Sequence, residues 1–245
     1  MTGHDLAPGV HSHDYGDAAL LLEMVGGDRE ERWGRCQALG QSLRRTPPRG
    51  LVDVVASIEH VFVAFDPLLT EPGALREALA VLLSGGAPAA PTSRQFTIPV
   101  VYGGEHGPDL DHLADLLGLE PEELVARHER GPWTLRFVGS PAGAPMLDGP
   151  EHRPVFEQSV PRVASPRARL AAGSVGLSGS QCIVYNAPSP GGWQIIGRTP
   201  ALLFDLDTPP HVPYRAGDLV RFRGVDAADW DRWTGPLNVS DEGAP

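Results

Sequence analysis

The sequence predicts an α+β protein of two domains, in which a domain of helices and strands precedes a mostly β-stranded one. The 245 residues are 41% apolar and 21% charged, which is enough for one large core or two small ones. The 25 prolines and 29 glycines favour frequent turns and a β-rich body. Residues 84–93 (SGGAPAAPTS) are small, uncharged and Pro-rich, as in a linker. We therefore expect domains at residues 1–92 and 93–235, followed by a C-terminal tail at 236–245.

The first domain is predicted to follow the order β-α-β-β-α-β. Residues 18–25 (AALLLEMV) form an apolar run before two glycines, as a buried strand does. Residues 51–56 and 58–65 are rich in Val, Ile and Phe and suit a strand pair. Apolar residues at helical spacing mark two helices: Trp33, Cys36, Leu39 and Leu43 in the first, which Asp28 can cap, and Leu75, Leu79 and Leu82 in the second. This order is that of ferredoxin-like domains, and the start before it is predicted to be a mobile tail.

The second domain opens on a predicted strand at residues 96–102 (FTIPVVY). Two short helices are expected next. Asp109 is a candidate cap of the first helix, and Pro121 occupies the first turn of the second, which ends near Arg127 and His128 as the helix dipole favours. From residue 133 to 233, strand-like segments alternate with Gly and Pro turns, which is typical of a mostly β barrel.

Composition excludes several classes of function. The net charge of -11 argues against a nucleic-acid-binding protein, because phosphate neutralisation needs a basic face. The start lacks the charged and apolar regions of a signal peptide, and no apolar run approaches the roughly 20 residues of a membrane span. A cytoplasmic location is therefore expected. All 20 basic residues are Arg, so Schiff-base chemistry and a P-loop lysine are excluded within this chain. With Cys36 and Cys182 alone, both interpreted as core thiols, we expect no disulfide framework and no metal site.

Residues 166–199 form a Gly-rich segment with many polar side chains. Gly173, Gly176 and Gly179 permit a backbone that approaches an anion closely. Arginines in and before the segment supply positive charge that suits carboxylate or phosphate, and Ser and Gln side chains supply hydrogen bonds. The segment contains neither a nucleophile elbow nor a P-loop. From the residues alone, two interpretations stay open: turns of a barrel, or a ligand-binding surface.

The amino-acid pattern of this segment resembles a known family signature. SVGLSGSQ at residues 174–181 and SPGGWQIIGRTP at 189–200, together with YGGEHGPDL at 102–110, resemble the family shared by the B-type subunit of 5-oxoprolinase, allophanate hydrolase subunit 1 and Kip-type histidine-kinase inhibitors. The resemblance extends over nearly the whole chain. It implies a ferredoxin-like N-terminal domain and a cyclophilin-like β-barrel domain.

The resemblance also implies site residues. Candidates for binding a substrate or an anion are Arg162, Arg167, Ser174, Gln181, Trp193, Gln194 and Arg198. The catalytic candidates are His128, five residues before an aromatic as in the family's H-x4-Y pattern, and Glu105, a carboxylate suited to proton transfer. Each has an alternative: His128 as a residue that simply closes a helix, and Glu105 as a turn residue.

The chain departs from the family pattern in one loop. Where the family carries two Phe and a Tyr, this sequence has Ser140, Ala144 and Met146. The glycines and the leucine of the loop remain, so the backbone path is expected to persist. Losing aromatic faces of about 150–250 Å² each changes the surface offered to a ligand.

Three functions follow from the resemblance. The first is a subunit of an ATP-dependent cyclic-amide hydrolase of the 5-oxoproline to glutamate type, in which ATP, with Mg²⁺, is handled through the complex with partner subunits. The second is an inhibitor that binds a sensor histidine kinase. The third, motivated by the changed loop, is a repurposed family member that catalyses a cyclisation or elimination in a specialised pathway. Of these we favour the first.

Overall fold

The computed structural model describes residues 3–85, 93–150 and 155–239, and the chain divides into two compact units, Met1–Thr92 and Ser93–Pro245. The N-terminal unit contains β1 (Gly3–Ala7), β2 (Val10–Asp14), β3 (Ala19–Met24), α1 (Arg29–Arg45), β4 (Leu51–Ala56), β5 (His60–Phe65) and α2 (Pro72–Ser84). Most of the predicted linker and the last six residues of the predicted tail lie outside the described residues.

The strands of the N-terminal unit form one antiparallel sheet in the order β1-β2-β3-β5-β4. The predicted sequence β-α-β-β-α is present from β3 to α2, but no described strand of this unit follows α2. Strand β2 instead lies beside β3, and the specific ferredoxin-like assignment stays a prediction. Residues of the expected tail form β1 and β2, and Pro8 and Gly9 close a hairpin between them; the mobility expected of the start stays a prediction.

Both helices cover one face of this sheet. Asp28 caps α1 as predicted, and its carboxylate accepts from the Glu31 N–H while the Glu31 carboxylate accepts from the Asp28 N–H. The core between helices and sheet contains Leu20, Leu22 and Cys36, each with no more than a trace of exposed surface. Periodicity thus placed the buried faces of both helices correctly.

The second unit is built around a closed barrel of seven strands in the order β10-β11-β8-β7-β15-β6-β13. Its strands are β6 (Gln95–Tyr102), β7 (Trp133–Gly139), β8 (Ala144–Asp148), β10 (Ser174–Ser178), β11 (Gln181–Tyr185), β13 (Gln194–Arg198) and β15 (Leu219–Gly224). All neighbours are antiparallel except β15 and β6, which are parallel. The α+β class with a mostly β second unit is confirmed.

Smaller elements surround the barrel. Helices α3 (Leu110–Leu117) and α4 (Pro121–Glu129) precede β7, and α5 (Trp230–Trp233) follows β15. Two short ladders pair β9 (Arg167–Leu170) with β12 (Ser189–Gly191), and β14 (Ala201–Leu202) with β16 (Gly235–Pro236). The barrel interior is apolar, with Phe96, Ile98 and Leu135 fully buried. No helix in the described ranges is long and apolar enough to cross a membrane.

Candidate functional site

The glycines of the Gly-rich segment meet needs of the barrel itself. Gly173 has φ of +85°, and a Cβ there would lie 2.2 Å from the Thr199 carbonyl oxygen. Gly179 has φ of +60° in the tight turn that joins β10 to β11. Side chains other than hydrogen are strained at such angles. At these two positions the structure favours the barrel-turn interpretation over close approach to an anion.

A second apolar cluster lies on the outside of the barrel. Because side chains alternate across a strand, Cys182 points into the main core whereas its neighbour Ile183 points outward. We call the outward set the outer cluster: Ala144, Leu170, Ile183, Tyr185, Trp193 and Ile195, with Met146 packed against it. Two of the three positions at which the family's aromatic residues are missing, Ala144 and Met146, therefore belong to this cluster. The changed loop alters the same surface that holds the predicted site residue Trp193.

The antiparallel β9–β12 ladder packs on the outer cluster through Leu170 and is held by an ion pair. Arg167 Nη2 donates to Asp109 Oδ1 at 2.6 Å, and Asp109 Oδ2 accepts from the Ile195 N–H at 2.7 Å. The capping role predicted for Asp109 is wrong: the residue occupies the N-cap position of α3, but its side chain makes no cap hydrogen bond. The carboxylate instead joins β9, β13 and the start of α3.

Ser174 and Arg198 face each other across the β10–β13 pair. Arg198 Nε donates to the Ala172 carbonyl at 2.8 Å, and its guanidinium lies over the Trp230 ring at 5.1 Å. His106 stacks on the same indole, with ring centroids 4.9 Å apart. The hydrogen bond from Nε to Ala172 and the contact with the Trp230 ring thus orient the guanidinium of Arg198. Neither of its terminal nitrogens makes a hydrogen bond within the described ranges. Both terminal nitrogens can bind two oxygens of an anion.

Gln181 and Gln194 lie apart from that pair. Gln181 begins β11, so it is separated from Ser174 by the length of β10, about 13 Å for four residues. Gln194 is buried; its Nε2 donates to the Pro161 carbonyl at 3.1 Å, and its Oε1 has no hydrogen-bond partner within the described part of the chain. The predicted binding residues therefore do not converge on one point.

Arg162 is exposed and close to the phenol of Tyr185. Burial raises the pKa of Tyr185, while a hydrogen bond from the Trp193 N–H and the charge of Arg162 oppose that rise. Arg162 and Arg198 thus leave positive charge at the Gly-rich segment, whereas the charge of Arg167 is paired with Asp109. Of these guanidinium groups, the oriented one of Arg198 suits recognition of a small anion best.

A buried ion pair was missed by the sequence reasoning. Arg136 has no exposed surface, and its Nε donates to Asp148 Oδ2 at 2.9 Å. Gln181 Nε2 donates to the other oxygen of that carboxylate at 3.0 Å. The signal in the sequence is a single charge inside the apolar strand WTLRFVG, since a charge at such a position needs a buried partner.

The catalytic candidate His128 lies in the barrel core. Its Nδ1 is hydrogen-bonded to Tyr102 Oη at 2.8 Å, and its Nε2 lies 3.4 Å from Cys182 Sγ. The ring stacks on Phe222 with centroids 4.2 Å apart. Burial lowers its pKa from 6.5 to about 3. Because the side chain has no exposed surface, the structure favours the alternative in which His128 closes its helix and supports the core, and a catalytic role stays a prediction.

The other candidate for proton transfer, Glu105, is exposed in the turn that follows β6. Neither thiol offers a nucleophile, since burial raises the pKa of Cys36 to about 12 and raises that of Cys182 well above its usual value. The interpretation of both as core thiols is confirmed. A Ser, Thr or Cys nucleophile is usually activated by a hydrogen bond to a histidine ring. Within the described ranges only Cys182 has such a bond, to His128, and Cys182 is buried. The described residues can recognise an anion, but they pair no accessible Ser, Thr or Cys side chain with a histidine base.

Comparison with known proteins identifies the family. A model described as "Carboxyltransferase domain, subdomain C and D" matches residues 10–214. The B-type subunit of the 5-oxoprolinase of Bacillus subtilis (strain 168) is 32% identical over 229 residues, which are 88% of this chain and 92% of that protein. The chain belongs to the carboxyltransferase subdomain C and D family. The family resemblance predicted from the sequence is confirmed.

Solved structures share the fold of this chain. The crystal structure of TTHA0988 superposes with a TM-score of 0.73 at 32% identity, covering 85% of this chain and 40% of that one. This family member thus spans less than half of that longer chain. The urea amidolyase of K. lactis, at 21% identity and a TM-score of 0.73, shares the fold over 97% of this chain.

Proposed function

We propose that the chain is a subunit of an ATP-dependent cyclic-amide hydrolase, of the 5-oxoproline to glutamate type, that acts together with partner subunits. The observation that carries the proposal is the 32% identity to the B. subtilis 5-oxoprolinase subunit, because it extends over 92% of that protein. That relative is one subunit of its enzyme. A subunit that is incomplete alone agrees with the lack, among the described residues, of an accessible Ser, Thr or Cys paired with a histidine base.

Arg198, at the Gly-rich segment, fits the substrate class. A 5-oxoproline molecule carries one carboxylate beside its cyclic amide, and the terminal nitrogens of Arg198 can donate two hydrogen bonds to it. The bond to Ala172 and the contact with Trp230 hold this guanidinium in place before substrate arrives, which lowers the ordering cost of binding. In the assembled enzyme, Arg198 would orient the substrate carboxylate while a partner contributes the rest of the site.

The described residues do not form a phosphate site of the P-loop kind. The chain has no Lys, and the Gly-rich segment continues into β10 rather than into a helix. Gly173 packs against the Thr199 carbonyl. ATP, when bound by the complex, supplies the phosphoryl group that activates the amide oxygen, and no step through ATP or Mg²⁺ is assigned to this chain.

The proposal is tested by reconstituting the enzyme with partner subunits from the same genome and measuring release of glutamate from 5-oxoproline. With Arg198→Gln, the KM for 5-oxoproline should rise about 10- to 100-fold, because a hydrogen bond to a charged group is lost. Arg130→Gln, at the exposed end of α4, is the matched control and should leave KM unchanged. Equal KM values for the wild type and Arg198→Gln would remove Arg198 from the site.

A further inference from the structure

The N-terminal unit contains a cavity of about 320 Å³ that has no part in the proposed function. It lies between the turn of the β1–β2 hairpin, the middle of α1 and the last turn of α2. Its walls are mostly apolar and include Val10, Met24, Ala38, Leu39, Leu82 and Leu83. Small-molecule sites have this character: a volume of roughly 300 Å³ or more, apolar walls and a few placed polar groups.

Arg35 places a positive charge at the wall of this cavity. Its Nη1 donates to the Val25 carbonyl at 3.0 Å, and its Nη2 donates to the carbonyls of Gly9 at 2.6 Å and Pro8 at 3.4 Å. These carbonyls hold the guanidinium in position without neutralising it. No carboxylate of the described ranges forms an ion pair with Arg35, and at least two of its five N–H donors remain for a ligand.

We propose that this cavity binds a small amphipathic anion, namely a medium-chain carboxylate. The carboxylate lies at Arg35, where the fixed guanidinium donates hydrogen bonds to it. The hydrocarbon chain fills the apolar part between Leu39 of α1 and Leu82 of α2. The hydroxyl of Ser42, also at the wall, provides a second polar contact. This site is independent of the proposed hydrolase function, so either can fail without the other.

The chain-length dependence of binding is the first test, measured by calorimetric titration of the whole chain with hexanoate and octanoate. Each methylene that is buried in the cavity should tighten binding about fourfold. Octanoate has two methylenes more than hexanoate and should therefore bind about 15-fold more tightly. Octanol, which lacks the charge, should bind at least roughly tenfold more weakly than octanoate. Equal affinity for octanol and octanoate, or no saturable binding of octanoate, would overturn the proposal.

Two variants locate the site. Ala38→Phe fills the cavity and should abolish octanoate binding, whereas Ala78→Phe places the same ring at a separate groove of the same unit and should leave it unchanged. Circular dichroism checks that both variants fold. If octanoate binds equally well to Ala38→Phe and to the wild type, the ligand sits elsewhere and the assignment is wrong. The chain-length series on the wild type decides the question even if Ala38→Phe is unstable.

Discussion

The pH dependence of barrel stability reports directly on the buried imidazole of His128. Burial lowers its pKa from 6.5 to about 3 in the folded chain, whereas in the unfolded chain it titrates near 6.5. Between these two pH values the unfolded chain binds more protons than the folded one. The free energy of unfolding contributed by His128 is therefore full above about pH 6.5 and is lost progressively as the pH falls toward 3.

Below pH 6.5, each pH unit lowers the free energy of unfolding by about 1.36 kcal/mol, because the unfolded chain binds one more proton than the folded one. Lowering the pH from 7.5 to 5.0 covers about 1.5 of these units and therefore removes about 2 kcal/mol. His128→Gln removes the titrating group and also weakens the contacts with Tyr102 and Phe222. The variant should be less stable than the wild type at pH 7.5, but the stability difference between the two should shrink by about 2 kcal/mol at pH 5.0.

Urea denaturation of the whole chain at the two pH values, followed by the fluorescence of the buried Trp133 and Trp193 of the barrel unit, measures this difference. His112→Gln is the matched control, because His112 is exposed on α3. Its stability difference from the wild type should be the same at both pH values. A His128→Gln difference that also stays constant would refute the reasoning, since it would mean that His128 titrates alike in the folded and unfolded chain.

Three further predictions concern buried groups. Cys36 and Cys182 should both resist a thiol reagent in the native chain at pH 8 and react once it is unfolded, because burial keeps them as thiols; rapid native reaction of either contradicts its placement. Arg136→Met should cost about 3–5 kcal/mol in urea denaturation, because it strips the cation from a buried Asp148; a loss below about 1 kcal/mol would show that the pair is dispensable. Asp109→Asn should loosen the β9–β12 ladder and speed tryptic cleavage within β9, and an unchanged cleavage rate would count against the ion pair as its anchor.

The elements that local sequence determines were predicted well. The capping box at Asp28 and the helical spacing of Leu39 and Leu43 fix α1 from a few neighbouring residues, and α1 forms as expected. The barrel strands were recognised because Gly and Pro turns separate short apolar runs. The first hairpin was missed because β1 and β2 are polar, although Pro8 and Gly9 mark a turn between two segments of equal length.

The site was harder to predict because its contacts join distant parts of the chain. Asp109 precedes a helix, so local rules predict a cap, but Arg167, 58 residues away, and the N–H of Ile195, 86 residues away, take its carboxylate instead. Likewise, nothing in the neighbourhood of His128 reveals that Phe222 and Cys182 enclose it. Motif resemblance gave the family and the candidate site residues. Only the three-dimensional structure separates Arg198, whose terminal nitrogens remain available, from Gln181 and Gln194, whose amides bond to other parts of the barrel unit.

The most direct test of the central proposal is an omission experiment on the reconstituted enzyme. Partner subunits are assayed for release of glutamate from 5-oxoproline with ATP, first without this chain and then with it. The account predicts that glutamate forms only when the chain is present and that its formation requires ATP. Full activity without the chain, or none from a stable complex that contains it, would contradict the proposal and favour a binding partner or another reaction.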